Sequence, residues 1–171
     1  LFENDTNFNA EIGYWDTSSV TSMYAMFDGA ASFDQDIGGW ITSGITDMRR
    51  MLSGATAFDQ NIGAWNISSL TDAAFMLDQS GLGQANYDAL LTDWQAVNGR
   101  VTLGAQGLFF TALDARDALV STMEWVIIGD SLRGDNHNNT LTIGSAHSVH
   151  GLGGDDNLTG SSSHDRLVGG A

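Results

Sequence analysis

The first 81 residues carry a hydrophobic pattern that recurs every 25 positions. Five positions keep this period in all three units, namely Phe8, Phe33 and Phe58; Ile12, Ile37 and Ile62; Gly13, Gly38 and Gly63; Trp15, Trp40 and Trp65; and Met26, Met51 and Met76. A period of roughly 20–50 residues indicates repeated units that stack and bury a shared core. The pattern therefore predicts an α/β solenoid of three repeats over residues 1–81, with the Ile, Trp and Met ladders buried.

Within each unit the pattern predicts one short strand followed by one short helix. The residues from Ile12 to Thr17 alternate in polarity and include a tryptophan, which favours an extended strand. A stripe at helical spacing follows, formed by Met23, Met26, Phe27 and Ala30. The threonines that precede the stripes lie where an N-cap is expected, and they are Thr21, Thr46 and Thr71.

After the third unit the period ends, and residues 82–130 are predicted to form an α/β cap. An apolar end face left open would aggregate, so a stack of repeats needs such a cap. Apolar spacing predicts helices over 84–97 and 111–122. Short runs of β-forming residues predict strands over 101–103 and 124–128.

Residues 131–171 differ in composition and predict a partial parallel β-roll. They are rich in Gly, Asp, Asn and Ser, and aliphatic residues recur every eight or nine positions at Leu132, Leu141, Val149, Leu158 and Leu167. Segments 151–159 and 160–168 match the nonapeptide G-G-x-G-x-D-x-U-x, which binds Ca²⁺. Carbonyl and carboxylate oxygens suit this hard cation, so the predicted ligands are Asp156, Asp165 and the carbonyls of Gly151, Gly153 and Gly154.

The charge and composition of the chain exclude several kinds of binding partner and catalytic site. The chain has 6 Arg and no Lys against 21 acidic residues, which gives a net charge of −15. This charge disfavours nucleic acid and anionic membranes as partners. The absence of Lys and Cys excludes Schiff-base, thiolate and iron–sulfur chemistry. No apolar run approaches the ~20 residues needed to cross a bilayer, so membrane insertion is not expected.

The repeat F-x-Q-D/N-I-G-x-W-x-x-S-x-[VIL]-T-D-M-x-x-M resembles that of BspA-like leucine-rich-repeat surface proteins, whose unit of about 25 residues is also found in mycoplasma lipoproteins. The resemblance covers residues 8–130. Ala73 departs from it by replacing the first Met of the third unit. The resemblance implies display outside the cell and binding of a ligand without catalysis.

The tail resembles the RTX, or hemolysin-type, repeats of proteins that Gram-negative bacteria export by type I secretion. That resemblance implies a roll that folds in external calcium, with each ion bridging a turn to the turn two units on, so that Asn139 faces Asp156. Together the two resemblances indicate part of a large RTX adhesin, monomeric within a longer chain. A first residue other than Met, Leu1, fits that expectation.

A ligand-binding face is predicted beside the Trp ladder, where side chains alternate in and out. Its candidates are Tyr14, Asp16, Ser18, Ile41 and Asn66, which suit an extracellular protein, peptide or carbohydrate. The same residues also fit a solvated surface. A glycosidase pair built from Glu11 and Glu124, or from the aspartates, is an alternative. So is an accessory or anchoring domain of a secreted RTX enzyme, or a purely structural calcium-stabilised spacer. We expect a secreted or cell-surface recognition module that is not an enzyme.

Overall fold

A computed structural model describes residues 1–96, 100–134, 140–142, 148–159 and 166–169 of the chain. Within these residues the helices and strands all follow residue 83, in the order α1 (Gln84–Asp93), a 3-10 turn (Trp94–Ala96), β1 (Thr102–Gly104), β2 (Phe109–Phe110), α2 (Leu113–Ser121), β3 (Val126–Ile128), β4 (Ser131–Arg133), β5 (Thr140–Thr142), β6 (Ser148–His150), β7 (Asn157–Thr159) and β8 (Arg166–Val168). The strands pair in parallel, in the orders β1-β3, β2-β4-β6-β8 and β5-β7. The mixed α/β class is thereby confirmed.

The three units stack through backbone hydrogen bonds that recur at the sequence period. The Met23 N–H donates to the Asp47 carbonyl, and the Met48 N–H donates to the Asp72 carbonyl, both at 2.9 Å. Ser22, Asp47 and Asp72 form parallel bridges along the same column. Each unit therefore satisfies backbone groups of its neighbour, which an isolated unit would leave to solvent.

The strand and helix predicted inside each unit do not form, and that part of the prediction is wrong. The segments are successive turns, in which Ala25, Arg50 and Phe75 have φ of 49°, 57° and 60°. This left-handed conformation interrupts a right-handed helix. Alternate N–H groups bond to the next unit instead of to the carbonyl four residues earlier. The turns still point the apolar stripe inward, which is why its spacing imitates a helix.

The predicted threonine N-caps have a different role. The hydroxyl groups of Thr46 and Thr71 donate to the carbonyls of Thr21 and Thr46, at 3.2 and 2.8 Å. Each hydroxyl thus joins two units rather than starting a helix.

The recurring apolar residues form the core, as predicted. In the second and third units they are almost completely buried, at 0–4% exposure, and they are Phe33, Phe58, Ile37, Ile62, Trp40, Trp65, Met51 and Met76. The indole N–H groups of Trp40 and Trp65 donate to the carbonyls of Ile12 and Ile37, at 3.1 and 3.0 Å. Trp94, after α1, continues this ladder by donating to Ile62 at 3.3 Å.

The elements predicted for the cap are observed close to their expected bounds. The first helix ends at Asp93 and passes into the 3-10 turn, earlier than the predicted residue 97. Strand β1 continues the column of bridges, because Leu103 pairs with Ala73 of the third unit. It also pairs with β3, so the repeat stack and the cap share one hydrogen-bonded column.

The tail continues from the cap without a break in the sheet. The four-stranded sheet begins with β2 in the cap and adds β4, β6 and β8, while β5 and β7 pair separately. The aliphatic residues predicted for the roll core occupy the middle of β4 to β8, with Leu132, Val149 and Leu167 in register and Leu141 opposite Leu158. None of the helices in the described part of the chain is long and apolar enough to cross a membrane.

Candidate functional site

The acidic residues that recur with the period hold the units together. The Oδ1 atom of Asp34 accepts the Asp59 N–H at 3.0 Å and the Gln60 side-chain amide at 2.8 Å. Asp59 repeats this arrangement with Gly83 N–H and the Asn86 amide, at 2.7 and 2.8 Å. These carboxylates are therefore part of the scaffold.

Three of the predicted ligand residues, Asp16, Ile41 and Asn66, form one exposed column beside the Trp ladder. The Thr17 hydroxyl donates to the Ile41 carbonyl, and the next unit repeats this contact at Asn66, both at 3.0 Å. In each unit the turn that follows closes with the same backbone hydrogen bond, from Val20 to Thr17, from Ile45 to Thr42 and from Leu70 to Ile67. The column thus has one backbone geometry but an acidic, an aliphatic and an amide side chain. Ile41 is a large hydrophobic side chain that is 52% exposed.

Ser18, the fourth predicted residue, shapes the first position of that column. Its N–H donates to the Asp16 Oδ1 atom at 3.0 Å, and the Ser68 N–H does the same to Asn66. Hydrogen bonding by the side chain and the N–H of Ser18 holds the pKa of Asp16 below its ordinary value. Asp16 is therefore ionised at neutral pH.

Tyr14 lies in a separate depression of the first unit. Its side chain is 80% exposed, and with Glu11, Gln35 and Asp36 it lines a depression of about 240 Å³. A second depression, of about 290 Å³, has Trp15, Asp16 and Tyr24 in its wall. The structure thus groups the predicted residues on one unit and its neighbours, but places Tyr14 and Asp16 in different depressions.

The carboxylates of the alternative glycosidase pair lie in different surroundings. Glu11 lines the depression beside Tyr14, whereas Glu124, in the cap, pairs with Arg100 at 2.5 Å. The hydrogen bond and charge of Arg100 lower the pKa of Glu124. A glycosidase acid needs a raised pKa, so Glu124 does not suit that role.

The predicted calcium ligands are only partly within the described residues. Asn139 and Asp165 lie outside them, whereas the turn containing Gly151, Gly153, Gly154 and Asp156 is described. The Asp156 carboxylate packs so closely on Gly151 that a β-carbon there would overlap it. Gly154 has φ of 108°, which glycine adopts readily. No group of three or more His, Cys, Asp or Glu side chains that could hold a metal ion occurs in the described part of the chain.

A buried ionic network at the end of the cap was not anticipated from the sequence. Arg116 binds both oxygens of Asp130, at 2.7 and 2.8 Å, and the Tyr87 hydroxyl donates to the same carboxylate at 3.0 Å. Asp130 and Arg116 are 0% and 1% exposed. Burial and the Asp130 charge raise the pKa of Tyr87 well above 10. The available signal was that Arg116 falls three residues from both Leu113 and Leu119, on the apolar stripe of α2.

This network is structural, because its charged groups have no access to a ligand. Burial opposes the charge on Arg116, but the hydrogen bonds and negative charge of Asp130 outweigh it and raise the guanidinium pKa. The network joins α1 and α2 to the residue that precedes β4. It thereby fixes the place where the tail leaves the cap.

Comparison with known proteins identifies a family for the first half of the chain. No curated protein and no solved structure matches the sequence. The family described as "Mycoplasma protein of unknown function, DUF285" matches residues 1–94, which include the three units and α1. That match spans more than half of the 171 residues. The chain therefore belongs to the DUF285 family.

Proposed function

We propose that this protein is a non-enzymatic recognition module, secreted or displayed on the bacterial surface, that binds an extracellular protein, peptide or carbohydrate. One observation carries the proposal: side chains that vary from unit to unit are exposed on a backbone that does not vary. Asp16, Ile41 and Asn66 each precede a turn that closes with the same backbone hydrogen bond, and they differ in chemistry. The DUF285 family is described as one of unknown function, so this surface is the support for the proposal.

The scaffold suits recognition because its order does not depend on the ligand. The ladders of Phe, Ile, Trp and Met are buried, and the acidic and amide side chains between units bond to each other. A preformed surface avoids the entropic cost of ordering a loop on binding. We accordingly interpret the stack as a leucine-rich-repeat-like solenoid of the BspA type, closed by the cap and followed by a partial β-roll.

Calcium binding by the tail is part of the same proposal. The described turn supplies Asp156 and the carbonyls of Gly151, Gly153 and Gly154, and Asn139 and Asp165 complete the proposed ligand set. Calcium, when bound, would neutralise carboxylates in a chain whose net charge is −15. External calcium would then favour folding after type I secretion, because a ligand that binds only the folded state stabilises it.

The recognition surface is tested on arrays of extracellular-matrix proteins and glycans. The native chain is compared with the double variant Tyr14→Ala/Ile41→Ser, and with Thr122→Ala, an exposed position in the cap, as the control. We expect a captured ligand to bind the double variant at least about ten-fold more weakly, and the control unchanged. Equal binding by all three proteins, no binding to any array, or turnover of an arrayed glycan would contradict the proposal.

The calcium site has its own test in titration calorimetry with CaCl₂. Asp156→Ala removes a proposed ligand, whereas Asp155→Ala removes an adjacent carboxylate that the nonapeptide pattern does not require. We expect only the first variant to weaken calcium binding. Equal weakening by both variants would mean that general negative charge, rather than a built site, attracts the ion.

A further inference from the structure

A second exposed surface runs along the column where the units and the cap strands meet. Bridges connect Ser22, Asp47 and Asp72, and the column continues through Ala73 and β1 to β3. Beside it lie four large exposed hydrophobic side chains, Tyr24, Phe75, Val126 and Ile128, at 53%, 57%, 54% and 46% exposure. We call the surface formed by these four residues with Arg49, Asp47 and Asp72 the ladder face.

One end of the ladder face is apolar and continuous. In β3, Ile127 points into the core, so Val126 and Ile128 point outward on either side of it. Gly104 pairs with Ile128, and a β-carbon on Gly104 would overlap the backbone of Phe75. Phe75 and Ile128 therefore both lie next to Gly104, which has no side chain to stand between them.

The other end is acidic and ordered. Arg49 pairs with Asp47 at 2.8 Å and with Asp72 at 3.8 Å, and its guanidinium lies 5.2 Å from the Tyr24 ring centroid. The hydrogen bonds and charge of Asp47 raise the pKa of Arg49 and keep the guanidinium charged. Two carboxylates face Arg49 here, and the neighbouring Arg50 is paired with Asp28 at 2.7 Å, so one negative charge is in excess. The Asp72 side chain is 41% exposed and faces its arginine only at the longer distance.

We propose that the ladder face binds a protein segment that presents an apolar side chain to Phe75, Val126 and Ile128, and a Lys or Arg to Asp72. Charge complementarity supports a basic segment, because the chain carries a net charge of −15. The same charge opposes pairing of two copies. The column from Ser22 to β3 has four steps of about 4.8 Å, which suits a few residues of extended chain. This site goes beyond the proposed function, since it contains none of Tyr14, Asp16, Ser18, Ile41 and Asn66, although Tyr24 also lines the depression beside Asp16.

The test is selection from a phage-displayed random dodecapeptide library against the full chain. The selected peptides are then titrated against Phe75→Ser/Ile128→Ser and against Thr122→Ala, an exposed control position in the cap that belongs to neither proposed surface. We expect peptides that combine apolar and basic residues, and about ten-fold weaker binding to the double variant only. Circular dichroism and thermal unfolding establish that both variants are folded.

A milder variant keeps the test decisive if the double variant does not fold. Asp72→Asn should weaken peptides that contain Lys or Arg, and the loss should vanish when that residue of the peptide is changed to Ala. Peptides without the apolar-basic pattern, or peptides that bind the native chain and the double variant equally well, would overturn the proposal. Light scattering that shows dimers of the native chain but not of Ile128→Ser would overturn it in favour of a second copy.

Discussion

The repeat stack and the tail are both built from parallel turns, but they fill their cores differently. In the stack, the central units bury whole ladders of large residues, with Phe33 and Phe58 at 0% exposure. In the four-stranded sheet that the tail continues, the recurring aliphatic residues Leu132, Val149 and Leu167 are 2%, 0% and 47% exposed. The stack is thus held by its own side chains, whereas the tail depends on the cap at one end and, on our proposal, on calcium.

The cap connects these two kinds of core. Trp94 extends the indole ladder of the stack, and β2 begins the sheet that the tail continues. The Arg116–Asp130 pair is placed between them, where its burial makes it sensitive to the loss of either partner. The buried pair therefore couples the stack to the tail, and substitutions at this junction should destabilise both regions.

The comparison predicts the largest effect for the loss of a stack core residue. Phe33→Ala should lower the free energy of unfolding by about 3–5 kcal/mol, because it leaves a cavity between stacked rings. Leu167→Ala should lower it by less than about 1 kcal/mol, since that side chain is nearly half exposed. Urea unfolding of both variants measures the difference; similar losses would show that the tail is packed as firmly as the stack.

The junction should be nearly as sensitive. Asp130→Asn leaves the Arg116 cation buried without its counter-charge, and should cost about 3 kcal/mol in urea unfolding. The control Glu124→Gln breaks the exposed pair with Arg100 and should leave the free energy of unfolding almost unchanged. Equal effects of the two substitutions would contradict the claim that the buried Arg116–Asp130 pair stabilises the junction more than an exposed ion pair does.

A smaller effect is expected for the polar ladder of the stack. Asp34→Ala removes the acceptor for the Asp59 N–H and the Gln60 amide, and should cost about 1–2 kcal/mol. Asp36→Ala removes only the local bond from the Gly38 N–H and should cost less. Thermal unfolding of both variants tests the order, which would be reversed if local turns rather than contacts between units stabilised the stack.

The smallest effect concerns pH. The pKa of Tyr87 is raised by burial and by Asp130. The neutral Tyr87 hydroxyl therefore contributes fully to the free energy of unfolding below about pH 10, and this contribution is lost as the pH rises further. Tyr87→Phe should cost about 1 kcal/mol at pH 7, and the gap from the native protein should narrow by pH 11. Urea unfolding at both pH values measures it. A gap that stays constant would place the titrating group elsewhere.

The sequence predicted which residues are buried better than it predicted how the backbone places them. The period identified the Phe, Ile and Trp ladders because stacking needs the same residue type at the same place. The prediction of a helix in each unit was wrong because Ala25, Arg50 and Phe75 adopt a positive φ. None of them is a glycine, so the residue type at these positions does not indicate a turn.

The exposed positions were also predicted only in part, because a repeat period identifies variable positions but not the direction in which each side chain points. Asp16, Ile41 and Asn66 stand out because they vary beside a constant tryptophan. Phe75 lies in an apolar run with Met76, and only its alignment with Arg50 indicates that it points outward. The Arg116–Asp130 pair depends on contacts between separate elements, which periodicity does not describe.

The most direct test of the contrast between stack and tail is hydrogen–deuterium exchange of the full chain, with millimolar calcium and with a chelator. We predict that calcium slows exchange of the amides in β4, β6 and β8, while the column from Met23 to Leu77 stays equally protected under both conditions. Unchanged exchange in the tail, or an equal gain in the stack, would contradict the account.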